Sequence, residues 1–175
     1  MADNRPTRDD LYGEAVASCG SALDRLARAY EVDPDKRRDL LQEIHVALWQ
    51  SFEDFEGRCS LKTWVYRVAH NTATSVVIRK KMRAPALVDL EEVDASVQNE
   101  SEQVLDQQAT LDRVWALIQK LKPQDKQVIL LYLEGMDSAL IGEVTGFSPG
   151  NVATKIHRIK NLLSRKFHQG ERSAK

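Results

Sequence analysis

The sequence predicts an all-α fold of two small helical domains joined by a flexible acidic linker, with a helix-turn-helix in the second domain. Three observations lead there. Apolar residues recur at the helical period in both halves of the chain, and no segment sustains the alternation of a strand. The charges also fall into blocks. Residues 1–83 hold 14 basic and 13 acidic side chains, residues 84–112 none and 8, and residues 113–175 11 and 5, so a formal net charge of -1 conceals segments of +1, -8 and +6.

From about Asp9 to Tyr30, Leu11, Ala15, Leu23, Leu26 and Tyr30 line one helix face, weakened at Cys19-Gly20-Ser21. Pro34 and Asp35 mark the start of a second helix, where Leu40, Leu41, Ile44, Leu48, Trp49 and Phe52 repeat with the same period and Trp49 is expected in the core. Its other face is acidic, with Asp35, Asp39, Gln42 and Glu43. After a short loop, Ser60 caps a third helix with Leu61, Trp64, Val65, Val68, Ala69 and Val76 on its apolar side. Its remaining face carries Lys62, Tyr66, Arg67, His70 and Asn71 and runs out into Arg79-Lys80-Lys81-Met82-Arg83. From Gly57 to Arg83 there are seven basic residues and no acid. Cations interleaved with Trp and Tyr suit opening or single-stranded DNA, because aromatics stack on bases while cations follow phosphates. Trp64 can serve either the core or the DNA.

Ala84 to Gln108, with seven acids and no base, is expected to be a disordered or extended linker. A second unit starts near Ala109, with Leu111, Val114, Trp115, Ile118 and Leu121 on one helix and Val128, Ile129, Leu131 and Tyr132 on a helix ending at Gly135. Ser138 is expected to cap a short helix carrying Leu140, Ile141 and Val144, and Gly146 leaves it with positive φ. Ser148 and Pro149 then open a helix through Val152, Ile156, Ile159 and Leu163. So tight a junction makes a helix-turn-helix, with Gly142 placing no side chain where the helices cross. The outward face presents Asn151, Thr154, Lys155, Arg158 and Lys160, with Ser148 and His157 beside them. From Phe147 to His168 there are five Lys or Arg and no acid, which suits phosphates and base edges. A merely solvated basic face is the alternative.

Several function classes find no support. Cys19 and Cys59 are too few for a zinc site or disulfide framework, and His45, His70, His157 and His168 are scattered, so neither catalytic residues, metal nor cofactor is expected. No apolar run approaches the roughly 20 residues of a membrane span, and MADNRPTRDDL lacks a signal peptide's apolar core. The expectation is a cytoplasmic protein without membrane insertion.

Read in order, DLLQEIHVALW, FEGRCSLKTWVYRVAHNTA, a linker and a C-terminal helix-turn-helix resemble the bacterial extracytoplasmic-function sigma factors over almost the whole chain. The resemblance implies a dissociable subunit of RNA polymerase that confers promoter recognition and strand opening without catalysing nucleotide transfer. It implies a domain at 1–83 that docks on the polymerase clamp through Asp39, Gln42 and Glu43 and engages the promoter element near the start site through Lys62, Trp64, Tyr66, Arg67, Asn71, Arg79 and Lys80. Asn71 matches a position that helps hold a flipped non-template base, the alternative being an exposed helix polar. Residues 84–108 would thread the RNA channel, and a domain at 109–175 would read the upstream element through Ser148, Asn151, Thr154, Lys155, His157 and Arg158. Ala153 stands where many relatives have Lys or Arg, Asn151 where Thr is usual and Gly142 where Ala is usual. The partners implied are core RNA polymerase and promoter DNA, with room for an anti-sigma factor. A competing reading is a sigma-like decoy that occupies polymerase or an anti-sigma factor without opening promoters.

Overall fold

The computed structural model describes residues 6–83 and 104–172, which form seven α-helices and no strand. Residues 84–103, the greater part of the expected linker, lie outside the described residues. The helices are α1 (Arg8–Tyr30), α2 (Pro34–Ser51), α3 (Leu61–Arg83), α4 (Val104–Gln119), α5 (Pro123–Leu133), α6 (Ser138–Thr145) and α7 (Pro149–Arg172). None is long and apolar enough to cross a membrane.

The α1 helix begins at a capping box, in which the Thr7 side chain accepts from the Asp10 amide and the Asp10 carboxylate accepts from the Thr7 amide. It continues unbroken through Cys19-Gly20-Ser21, because Cys19, Ala22 and Leu23 are buried and their packing outweighs the roughly 1 kcal/mol that a helical glycine costs. The α2 helix is capped by Asp33, one residue before the expected Pro34 start, with Pro34 in the first turn. As anticipated, Ser60 Oγ accepts from the Thr63 amide at 3.0 Å to open α3. The three helices meet through Leu23, Leu26, Leu40, Ile44, Leu48, Val65, Ala69 and Ala73, all fully or nearly buried.

Three side chains depart from expectation: Trp49, Tyr66 and His70, the last placed by periodicity on the polar face of α3 but buried beneath α1 and α5 beside Tyr30. Trp49 is exposed rather than core: its indole donates to Asp9 Oδ1 at 3.0 Å, and Arg8 lies 4.1 Å over the ring, so its apolar body is covered by charged chains from α1. Tyr66, expected on the DNA face, is only 3% exposed and belongs to the core. Burial raises its pKa, and Glu134 takes the hydroxyl as hydrogen-bond partner. Trp64 is half-buried, with its ring centroid 5.4 Å from that of Phe55 and its indole donating to Ser51 Oγ at 3.0 Å.

The α4 helix starts at Val104, so the last five residues assigned to the linker are helical. Asp137, not Ser138, caps α6, accepting from the amides of Ala139 and Leu140. Ile141 and Val144 turn inward whereas Leu140 is exposed. The α4–α7 group packs around Ile118, Val128, Leu131, Ile141, Val152 and Ile159.

The two groups of helices touch along a largely polar seam. Arg25 forks onto Glu134 with two contacts of 2.7 Å, Arg28 meets Asp112 at 2.6 Å, and the Gln119 side chain donates to the Arg28 carbonyl at 2.8 Å. Arg67 donates to the Glu143 carbonyl at 2.6 Å. Beneath this seam His70 is 1% exposed and lies 3.4 Å from the Tyr30 hydroxyl, which also reaches the Pro123 carbonyl at 3.4 Å.

Burial pushes the His70 pKa down to about 3, so the folded chain holds it neutral while the unfolded chain protonates it below about 6.5. Stability is therefore expected to fall as pH drops from 6.5 to 5, with a slope approaching 1.4 kcal/mol per pH unit from this group. Denaturant melts of wild type and His70→Gln across that range check it, and the slope should shrink in the variant. For Trp64→Ala, loss of the Phe55 contact and the Ser51 bond should cost roughly 2 to 4 kcal/mol in a thermal or denaturant melt.

Candidate polymerase and promoter interfaces

The acidic edge expected on α2 is present, and Asp39, Gln42 and Glu43 are all exposed. Apolar residues on the opposite stripe, Leu40, Ile44 and Leu48, hold the helix in place, which leaves this edge free of any packing duty. Glu43 is paired nonetheless: Arg79 NH2 donates to its Oε2 at 2.6 Å. One residue expected at the polymerase surface and one expected at the DNA thus neutralise each other across α2 and α3. Both side chains are about half exposed, so the pair exchanges readily for external partners.

On α3, Lys62, Asn71, Arg79 and Lys80 are exposed, whereas Arg67 is half-buried by its contact with α6. Lys80 pairs with Glu31. Of the expected start-site set, Tyr66 is withdrawn into the core and Trp64 leans on the Phe55 side of it. The others are spread around α3, with Arg67 turned to α6, Arg79 to Glu43 of α2 and Lys80 to Glu31, in a stretch with no acid between Gly57 and Arg83.

The helix-turn-helix is built from local rules. Gly146 ends α6 at φ 80°, where a Cβ would be strained, and its amide returns to the Gly142 carbonyl at 2.8 Å. A Cβ on Gly142 would stand 2.7 Å from the Phe147 carbonyl oxygen, so the side chain is missing where the turn itself passes rather than where the two helices cross. Ser148 Oγ accepts from the Asn151 amide at 3.3 Å, and its carbonyl accepts from Val152, opening α7. Val152 and Ile159 are then fully buried, which turns Asn151, Thr154, His157 and Arg158 outward. Ser148, with its hydroxyl engaged in the cap, is also exposed.

These outward residues are not equivalent. Thr154 bonds back to the Gly150 carbonyl, and His157 shares a hydrogen bond with Asn161 at 2.9 Å. Lys155 is half-buried, with its ammonium 3.1 Å from Asp125 Oδ1, and Arg158 donates to Asp125 Oδ2 at 2.6 Å. Asp125 is the member of this surface that sequence reasoning missed. Its only signal was an acidic residue in the first turn of a proline-led helix, and nothing linear connects it to residues about 30 positions away.

Comparison with known proteins agrees with this architecture. The Sigma-70 region 2 family matches residues 7–83, and the Sigma-70 region 4 family matches residues 111–163. Among curated relatives, the chain is similar to the RNA polymerase sigma factor CnrH of Cupriavidus metallidurans, at 28% identity covering 87% of this chain and 84% of that one. It is also similar to the RNA polymerase sigma factor YlaC of Bacillus subtilis, at 26% identity covering 93% and 92%. The fold resembles that of CnrH in complex with the cytosolic domain of CnrY, with a TM-score of 0.65 at 23% identity over 90% of this chain and 88% of that one. It also resembles the sigma factor RpoE in complex with the anti-sigma factor NepR from Bartonella quintana, with a TM-score of 0.67 at 16% identity over 93% and 98%. With both Sigma-70 regions in order along one short all-α chain, the protein belongs to the sigma-70 family as an extracytoplasmic-function sigma factor, a subunit that directs promoter recognition in transcription initiation.

Proposed function

We propose that this sigma factor divides its work between a unit at residues 1–83, which binds polymerase and the promoter element near the start site, and a unit at 109–175, which binds the upstream element. The observation that carries this reading is that each unit has a helix surface to which its own helix contributes no acid: α3, with Lys62, Asn71, Arg79 and Lys80 exposed, and α7 as far as His168, with Asn151, Thr154, His157 and Arg158 exposed. Cations on such faces release counterions from phosphate when they bind, which supplies affinity, while amide and guanidinium groups read base edges. The exposed edge of Asp39, Gln42 and Glu43, free of any role in the core, supports its assignment to the polymerase. Residues 84–103, which precede α4, join the units with a charge resembling that of nucleic acid.

Arg67 has a double part in this scheme. In the free chain it donates to the Glu143 carbonyl, and on promoter DNA that bond is exchanged for phosphate as α6 leaves α3. The seam holds two ion pairs, of which Arg28–Asp112 is exposed and worth about 1 kcal/mol or less, and a few hydrogen bonds to backbone carbonyls of about 1 kcal/mol each, so polymerase and DNA contacts can replace it. The protein acts in the cytoplasm, catalyses no reaction itself, and takes an anti-sigma factor as regulator, as the solved complexes of its structural relatives suggest.

Run-off transcription with core polymerase tests the whole reading. A promoter-dependent transcript is expected, whereas polymerase binding without a transcript would favour the decoy. Reversing charge at Asp39 and Glu43 together (Asp39→Lys, Glu43→Lys) should weaken polymerase binding with helical content unchanged, since both side chains are exposed. Equal affinity in a titration of core polymerase would remove them from that surface. Asn71→Ala should impair strand opening, read by permanganate reactivity, with stability within about 0.5 kcal/mol of wild type because the side chain is exposed.

A further inference from the structure

Asp125 lies in the first turn of α5 and is 9% exposed. Its two carboxylate oxygens are divided between two cations of α7, Oδ1 to Lys155 and Oδ2 to Arg158. A carboxylate so covered is costly unless paired, and here two positive charges and the N-terminal end of α5 compensate it. The cations fare differently. The Lys155 side chain is 18% exposed, with its ammonium also 5.0 Å above the Phe147 ring, whereas that of Arg158 is 63% exposed. Lys155 is drawn into the seam between α5 and α7, where its ammonium rests against Asp125 and the Phe147 ring. Arg158 is held by one NH2 and leaves the rest of a planar five-donor fork in solvent.

We propose that Asp125 is a specificity-determining positioning residue: it fixes the orientation in which Arg158 meets a base edge and keeps Lys155 off the phosphate backbone. The chemistry that fits the remaining edge of an oriented guanidinium is a pair of acceptors on the major-groove side of a base, as guanine presents. Ordering Arg158 before DNA arrives lowers the entropy cost of that contact for the matching base alone, because a mismatched base cannot use the fixed orientation. Withholding Lys155 keeps sequence-independent binding low. The inference rests on the reading of α7 as the upstream recognition helix.

Removing the carboxylate therefore acts with opposite signs on two quantities. With holoenzyme containing Asp125→Asn or Asp125→Ala, on a promoter library varied through the upstream element, preference at one base position should fall by at least about fivefold. Binding to non-preferred sequences should hold or rise, and the salt dependence should steepen by about one counterion as Lys155 reaches phosphate. In an Arg158→Ala background the same change at Asp125 should cost no further preference, since it acts through that arginine. A wild-type holoenzyme indifferent to the upstream sequence would defeat the recognition-helix reading itself. Where wild type discriminates, full preference at an unchanged salt slope in both variants overturns the role of Asp125. A uniform loss on every sequence overturns it too, because mere structural support would move affinity and not preference.

Discussion

The path of the chain from Gly142 to Phe147 determines what α7 can offer to DNA. The Phe147 carbonyl passes so close to Gly142 that a methyl group there would stand 2.7 Å away, and Gly146 takes a left-handed φ of 80° to bring it round. Once the turn is closed, Val152 and Ile159 enter the core seven residues apart, and the helical period leaves Asn151, Thr154, His157 and Arg158 no place but the outside. The face is a by-product of burial. A looser turn would rotate α7, put different residues outward and move Arg158 away from Asp125.

Most of the cations expected at DNA are not idle in the free chain. Arg79 rests on Glu43, Lys80 on Glu31, Arg67 on the Glu143 carbonyl and Arg158 on Asp125. The exposed pairs stabilise the fold by about 1 kcal/mol or less, which is small against the release of counterions from a duplex. Asp125 differs from the others because it is buried, so its hold on Arg158 persists while the outer part of the guanidinium engages something else. Salt-sensitive attachment and a fixed reading group can then coexist on one helix.

What could be read in the sequence was what local chemistry decides. The αL glycines at 135 and 146, the Ser60 and Ser148 caps and the periodic runs through Leu40, Ile44 and Leu48 each follow from a few adjacent residues, and the structure contains them. The α2 helix starts at Pro34 as read, whereas the cap of α6 sits at Asp137, one residue before Ser138, because a carboxylate there reaches two amides at once. The exchange of Trp49 and Tyr66 has a different origin. Periodicity gives the face of a helix but not the neighbour that covers it: Glu134 after α5 and Cys19 and Arg25 of α1 surround Tyr66, while the charged Asp9 and Arg8 of α1 meet Trp49. Asp125 was beyond reach for the same reason, since its partners come from another helix. The acidic edge of α2 and the outward side of α7 were legible as exposed surfaces, because segregated charge survives folding.

The central claim is that two faces of one small chain contact two separate promoter elements at once. Photo-crosslinking from residues 71 and 154 in a reconstituted holoenzyme tests it most directly, since both positions are exposed and lie on α3 and α7 respectively. The account predicts adducts at two distinct sites on the same promoter, near the start site from residue 71 and upstream from residue 154. Adducts from both positions at one site, or from neither in a complex that still transcribes, would contradict it.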